Sequence, residues 1–233
     1  MTDAGVLPED IFRLPKRVAM AATVADEIAW AVAAGHLNPG EKLNETELGE
    51  RMGVSRVPIR EALKILHAQG IVTGEQNRGY RVAAFDDKTI RDVLEVRVQL
   101  ETILLRDAIL SWRARRDMAT ALDAPLAALQ DAADKDDRAA SLAADLAFHR
   151  AIAESSGNEI SSILWEAIAR HVLIIFSRHD YRDDDLNAVV RQHKAFKRGI
   201  VDMIKSDADA ESIRKRLEDH LLQVARARSQ KRA

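Results

Sequence analysis

Apolar residues recur at helical spacing through most of this chain, and only one short region changes to alternation. Ala25, Ile28, Ala29 and Val32 give an inward face to a helix that starts near Val18 and ends at the turn-rich Gly35–Gly40 segment. Leu48 and Met52 mark a short second helix, and Ile59, Ala62, Leu63 and Leu66 mark a third. Ile71-Val72-Thr73 and Tyr80-Arg81-Val82 then flank Glu75-Gln76-Asn77-Arg78-Gly79, which predicts two short strands around a turn. Beyond residue 88 the period is helical again. Helices are expected over 88–112, 116–133, 138–155, 159–179, 185–205 and 209–228, with breaks such as Asp134-Lys135-Asp136-Asp137, Ser155-Ser156-Gly157-Asn158 and Ser206-Asp207-Ala208-Asp209.

Local signals sharpen the first region. Asn44 can cap the second helix, Gly53 supplies a turn, and Val54 is an apolar plug before the next helix, which Ser55 caps. Pro58 falls in that helix's first turn, where its missing amide proton would have no intrahelical partner. Gly70 stops the helix, and Asp86 and Asp87 can cap the next one. The expected fold is mainly α: an N-terminal winged helix-turn-helix followed by an all-helical bundle domain. Its expected divisions are a loosely held arm over 1–17, the winged helix-turn-helix domain over 18–82, a linker over 83–87, the helical domain over 88–228, and a tail over 229–233.

Composition agrees and narrows the chemistry. With 233 residues the chain has room for two modest domains, and 4% aromatic content favours helical packing. The sequence contains no cysteine, which excludes disulfide frameworks, thiolate metal sites and cysteine nucleophiles. It shows no 18-residue apolar run and no basic-then-apolar start, so a cytoplasmic location is expected.

The net charge of −2 says nothing in favour of nucleic acid, so any such reading must be local. Arg56, Arg60 and Lys64 stand at successive i+4 positions beside the apolar face of the third helix, and residues 51–64 carry a surplus of +3. A stripe of three cations is ordinarily a solvated helix face. Following a helix, a tight turn and a serine cap, it instead suits a helix that enters a DNA major groove. Lys64 and Arg51 are then candidates for phosphate contact, and Arg56 and Arg60 for base edges, because a guanidinium pairs bidentately with guanine. Ser55 and the wing residues Arg78 and Gly79 complete the candidate DNA-binding set.

Polar residues on inward faces form a second group. Asp145 and His149 are four apart on the side of the helix that carries Leu142, Leu146, Ile152 and Ala153. His193 shares a face with Val189, Val190, Phe196 and Ile200, and His220 with Leu217, Leu221 and Val224. One such histidine is usually a core residue with a single hydrogen bond. Three with an acid are costly to bury unless something pairs them, and a divalent metal does so, zinc first, with nickel, manganese or iron also compatible. Arg97 lies on the bundle-facing side of its helix, which allows snorkelling, a salt bridge with Glu101, or a clamp on a ligand carboxylate.

The two halves together resemble the gluconate-repressor (GntR) superfamily, in the fatty-acid-regulator (FadR) branch whose helical effector module is the FCD domain. In the first half the resemblance runs through Leu37-Asn38-Pro39-Gly40-Glu41-Lys42-Leu43-Asn44-Glu45, Glu47-Leu48, Gly53 to Leu63 and Gly70-Ile71-Val72. In the second it runs through Asp145-Leu146-Ala147-Phe148-His149, Gln192-His193-Lys194-Ala195, Asp219-His220-Leu221 and Glu95-Val96-Arg97 with Leu100-Glu101. It implies Asp145, His149, His193 and His220 as metal ligands, a small organic acid completing the coordination, and Arg97, with Glu101, at the effector. Thr46 departs from the pattern, standing where some members place a DNA-contacting arginine, and the 27-residue interval from His193 to His220 is about one turn longer than usual.

The expected function is a homodimeric, sequence-specific transcription regulator whose operator affinity is switched by a small carboxylate effector at a metal centre. The partners are double-stranded operator DNA, the effector and a second copy, without a membrane. A metal-sensing regulator is the first alternative. A metalloenzyme with an accessory DNA-binding domain has less support, because Leu146, Val190 and Leu217 stand three residues before the histidines where a di-iron bundle would need glutamates.

Overall fold

A computed structural model describes residues 17–75, 79–177, 185–206 and 208–232. Most of the expected arm, the turn with Arg78, and residues 178 and 179 of the expected fourth bundle helix lie outside these. Among the described residues two compact units are present, one of residues 17–32 with those of Leu37–Ala84, the other of Ala33–His36 and those from Phe85 onward.

In the first unit, α1 (Arg17–Ala33) buries Ala25, Ile28 and Ala29 completely. The Asn44 side chain accepts from the backbone N–H groups of Thr46 and Glu47 and so starts α2 (Glu45–Met52). Gly53 ends α2 with φ 65°, a left-handed conformation that costs glycine little. The turn is so close that a Cβ on Gly49 would lie 2.9 Å from the Val54 carbonyl oxygen. Ser55 occupies the cap position of α3 (Arg56–Ala68) but its side chain makes no capping bond. The third helical residue, whose amide a serine cap would bind, is Pro58, which has none. Ile59, Ala62, Leu63 and Leu66 of α3 are fully buried.

The wing has one strand more than the sequence pattern predicts. Strands β1 (Lys42–Leu43), β2 (Val72–Glu75) and β3 (Gly79–Val82) form an antiparallel sheet in the order β1-β3-β2, with Leu43 opposite Tyr80 and Thr73 opposite Arg81. Two residues are too few to show alternation, so β1 leaves no periodic trace.

In the second unit, the Asp86 side chain accepts from the Thr89 amide at 2.7 Å and opens the long α4 (Asp87–Arg115). The expected helix over 116–133 is divided. Arg116 turns left-handed and ends α4, and Asp117 binds both the amide and the hydroxyl of Thr120, holding a turn in place of a helix. A single 3₁₀ turn (Thr120–Leu122) follows, then α5 (Asp123–Asp134), with Pro125 in its first turn. The remaining helices are α6 (Arg138–Ser156), α7 (Glu159–Phe176), α8 (Leu186–Lys205) and α9 (Ala210–Arg232).

One core of this unit gathers Leu105, Ile109, Trp112, Leu129, Phe148 and Leu217, drawn from α4, α5, α6 and α9. A smaller one packs Leu100 and Leu104 of α4 against Trp165 and Ala169 of α7. The chain is therefore mainly helical, with a winged helix-turn-helix first and an all-helical unit second. No described helix is long and apolar enough to cross a membrane.

Candidate nucleic-acid interface and metal centre

The buried face of α3 leaves Arg56, Arg60 and Lys64 on its flank, where they meet carboxylates. Glu45, the first residue of α2, accepts from Arg60 Nε at 3.2 Å and Arg60 Nη2 at 3.1 Å, and lies 3.6 Å from Arg56 Nη2. These contacts raise the Arg60 pKa above its ordinary value, hydrogen bond first and charge second, so this group stays cationic. Lys64 pairs with Glu61 at 2.9 Å, and Arg51 with Glu47 at 4.0 Å. Ser55 is exposed, and Gly79 stands opposite Glu75 at the start of β3. Arg78 lies outside the described residues.

Glu45 is the residue that sequence reasoning missed here. A count over 51–64 excludes it, and residues 45–64 together contain four acids and four bases. One of the four cations, Arg51, belongs to α2, and the surplus vanishes once the rest of α2 is included. What favours DNA is therefore not net charge but arginines presented on a helix that follows a tight turn.

In the second unit, α6, α8 and α9 bring His149, His193 and His220 together. All three are buried, and their candidate ligand atoms lie within 4.8 Å of one another. The rings are close-packed, with centroids 6.0 Å apart for His149 and His193, 5.5 Å for His149 and His220, and 4.7 Å for His193 and His220. Phe196 stacks on His220 at 4.1 Å and 8°, and Phe148 meets His193 edge-on at 5.0 Å. The aromatic walls restrict both rings.

Hydrogen bonds settle which nitrogens carry protons. His193 Nδ1 lies 2.9 Å from the Val189 carbonyl oxygen, which can only accept, so Nδ1 is the donor and Nε2 of the neutral ring is a lone pair. His149 Nδ1 donates to Glu101 Oε2 at 2.6 Å in the same way, which frees its Nε2. Asp145 Oδ1 stands 2.9 Å from His193 Nε2, yet that nitrogen has no hydrogen bond of acceptable geometry, nor has His220 Nδ1. Two buried imidazole nitrogens without partners, beside a carboxylate, are costly as they stand. A divalent cation satisfies them all, so these residues fit a metal.

The charges around the cluster fit as well. Burial opposes ionisation of Asp145, but its neighbours His193, His149 and Arg97 together hold the carboxyl below its usual range. Burial, followed by the neighbouring His193, His149 and Arg97, pushes His220 well below the ordinary histidine value and keeps its ring neutral. Both are the protonation states a metal ligand needs.

Glu101 is the hub beneath this centre. Its Oε1 accepts from Arg97 Nε at 2.7 Å and Trp165 Nε1 at 3.0 Å, and its Oε2 from His149. Burial works against its charge, but Arg97 and His149 outweigh it and hold the carboxyl low. Arg97 is 1% exposed, so it is not snorkelling; it forms the salt bridge with Glu101 and stacks 5.1 Å above the Phe176 ring. Trp165 was not among the candidate residues, and nothing in the linear pattern separates its N–H from that of any core tryptophan.

Comparison with known proteins agrees with both halves. Residues 20–82 match the bacterial regulatory proteins of the gntR family, and residues 92–223 match the FCD domain. The chain is 28% identical over 161 residues to a probable D-xylose utilization operon transcriptional repressor of Paenarthrobacter nicotinovorans, covering 69% of this chain and 70% of that one. It is 30% identical over 172 residues to an uncharacterized HTH-type transcriptional regulator of Mycobacterium tuberculosis, covering 66% and 69%. Against YdhC of Bacillus subtilis, an uncharacterized HTH-type transcriptional regulator, identity is 30% over 94 residues, 40% of this chain and 42% of the relative. The solved structure of Escherichia coli McbR/YncC has the same fold, with TM-score 0.73 at 20% identity over 92% of this chain and 99% of that one.

Proposed function

We propose that this chain, which belongs to the gntR family of bacterial regulatory proteins and carries an FCD domain, binds operator DNA as a homodimer and changes its affinity when a small organic acid joins a divalent metal ion in the helical unit. Its family makes it a DNA-binding transcriptional regulator; the metal, the acid, the homodimer and the cytoplasmic site of action are the finer reading. In that reading the groove contacts come from Arg51, Ser55, Arg56, Arg60, Lys64, Arg78 and Gly79, and Asp145, His149, His193 and His220 hold the ion.

The observation that carries the proposal is the buried trio of imidazoles with two unpartnered nitrogens beside Asp145. Bound there, an ion supplies Lewis-acid attraction for a carboxylate, and zinc suits the donor set best. Arg97, whose charge reaches Asp145, would add a guanidinium to the same anion. Glu101 is reassigned: three donors already occupy its oxygens, so it orients His149 and Arg97 and does not touch the effector.

The homodimer rests on an apolar stripe. Val96, Ile103 and Leu110 repeat every seven residues on the outside of α4 at 51%, 38% and 53% exposure, and α7 adds Ile160, Ile163 and Leu164 at 69%, 66% and 54%. A second copy related by a twofold axis would cover this surface with its own and pair two DNA-binding units for a palindrome.

Elemental analysis of the purified protein, followed by a thermal-shift screen of small mono-, di- and tricarboxylates on the zinc-loaded form, tests the reading. Near-stoichiometric metal and a carboxylate-dependent shift that alters DNA binding support it. A protein that takes up no divalent metal contradicts it, and turnover of the bound acid would make the protein an enzyme.

A further inference from the structure

Glu45 opens α2 and not α3, yet it is the acid that touches both candidate base-reading arginines. Its side chain is 22% exposed, against 63% for Arg56 and 41% for Arg60, so the carboxylate sits deeper than the two groups it holds. Both Arg60 bonds end on one oxygen, Oε2. The Nε–Nη2 edge of the guanidinium is thereby occupied, and the end-on Nη1–Nη2 edge remains for a DNA acceptor pair.

An acid beside DNA-facing cations lowers attraction to phosphate, so its presence needs a reason. Stabilising the start of α2 is not enough, because Glu47 does the same from the same turn, 65% exposed and only 4.0 Å from Arg51. An arginine on a free stem reaches many phosphates, whereas one anchored through its inner edge presents a single fork.

We propose that Glu45 is a specificity-determining positioning residue, which fixes the Arg60 fork and restrains Arg56 for guanine and withholds both from indiscriminate phosphate contact. This rests on the DNA-binding reading above.

The test uses the full chain. Wild-type protein first selects a duplex from a random-sequence pool, and that duplex and a scrambled version of it are the probes. Glu45→Gln should bind the scrambled duplex more tightly, with a salt dependence steeper by about one unit of log–log slope. Its preference for the selected duplex should fall roughly 10-fold, the scale of one bidentate base contact. In an Arg60→Ala background the same substitution should lower the preference much less. Should Glu45→Gln fail to fold, Glu45→Asp, one methylene short of Arg60, serves the same comparison. A preference left unchanged, or lowered equally with and without Arg60, overturns the proposal. Wild-type protein that enriches no sequence overturns the DNA-binding reading itself, and this proposal with it.

Discussion

Replacing Glu101 by glutamine keeps the side chain's shape and removes its charge at the point where three buried donors converge. In the native arrangement Oε1 receives Arg97 and Trp165 at 2.7 and 3.0 Å, and Oε2 receives His149 at 2.6 Å. A glutamine amide has one acceptor oxygen, so its NH2 must face either the Arg97 and Trp165 donors or the His149 donor. Arg97, at 1% exposure, is left without its counter-charge. Breaking a buried ion pair from one side costs about 3–5 kcal/mol. His149 also loses the acceptor that fixes its tautomer, which should weaken metal binding about 10–100-fold. Urea unfolding of chelator-treated protein measures the first quantity, and zinc titration against a competing chelator the second. Glu101→Leu combined with Arg97→Met removes the orphaned charge, so it should recover part of the stability but none of the metal affinity. Glu101→Gln within about 1 kcal/mol of wild type, with unchanged zinc affinity, would refute the hub.

Other expectations follow from individual contacts. Arg113 donates to the Met203, Ile204 and Ser206 carbonyls at the end of α8, so Arg113→Ala should lower the unfolding free energy by about 1.5–3 kcal/mol in denaturant titrations. Gly49→Ala sets a Cβ 2.9 Å from the Val54 oxygen, and by about 1–3 kcal/mol it should destabilise the first unit and weaken DNA binding more than metal binding. Metal-free protein should lose stability on acidification. His220 is neutral in both states above the ordinary value of 6.5, whereas below it the unfolded chain takes up a proton that the folded one resists. The unfolding free energy should then fall by up to about 1.4 kcal/mol per pH unit, and Asp145 and Glu101, whose folded pKa values are depressed, add to the fall below the usual carboxylate range. A flat profile between pH 7 and 5 would contradict this.

The parts legible in the sequence are those governed by local rules. The apolar faces of α3, α6 and α8 follow from spacing alone, and Asn44 and Asp86 cap helices because their side chains reach amides only two or three residues away. The same locality makes His149 and His193 visible as polar residues on apolar faces. What stayed hidden depends on distance in the chain. Glu45 pairs with a residue 15 positions on, and the Glu101 carboxylate meets His149 and Trp165 at separations of 48 and 64. The division within 116–133 has local causes that are also legible: Pro125 marks a helix start near Asp123, and Asp117 with Thr120 forms a local turn that competes with helix. His220, whose interval from His193 is long, nonetheless joins the cluster from α9.

On the proposed function, an ion held by Asp145, His149, His193 and His220 governs how the arginines of α3 read DNA. The most direct test is the dissociation constant for a selected duplex, measured on wild type and His193→Ala, each metal-free, zinc-loaded, and zinc-loaded with a stabilising carboxylate. A shift of about 5–150-fold on adding the carboxylate to zinc-loaded wild type, absent in His193→Ala, is the predicted result. Equal affinity in all six states would contradict the account.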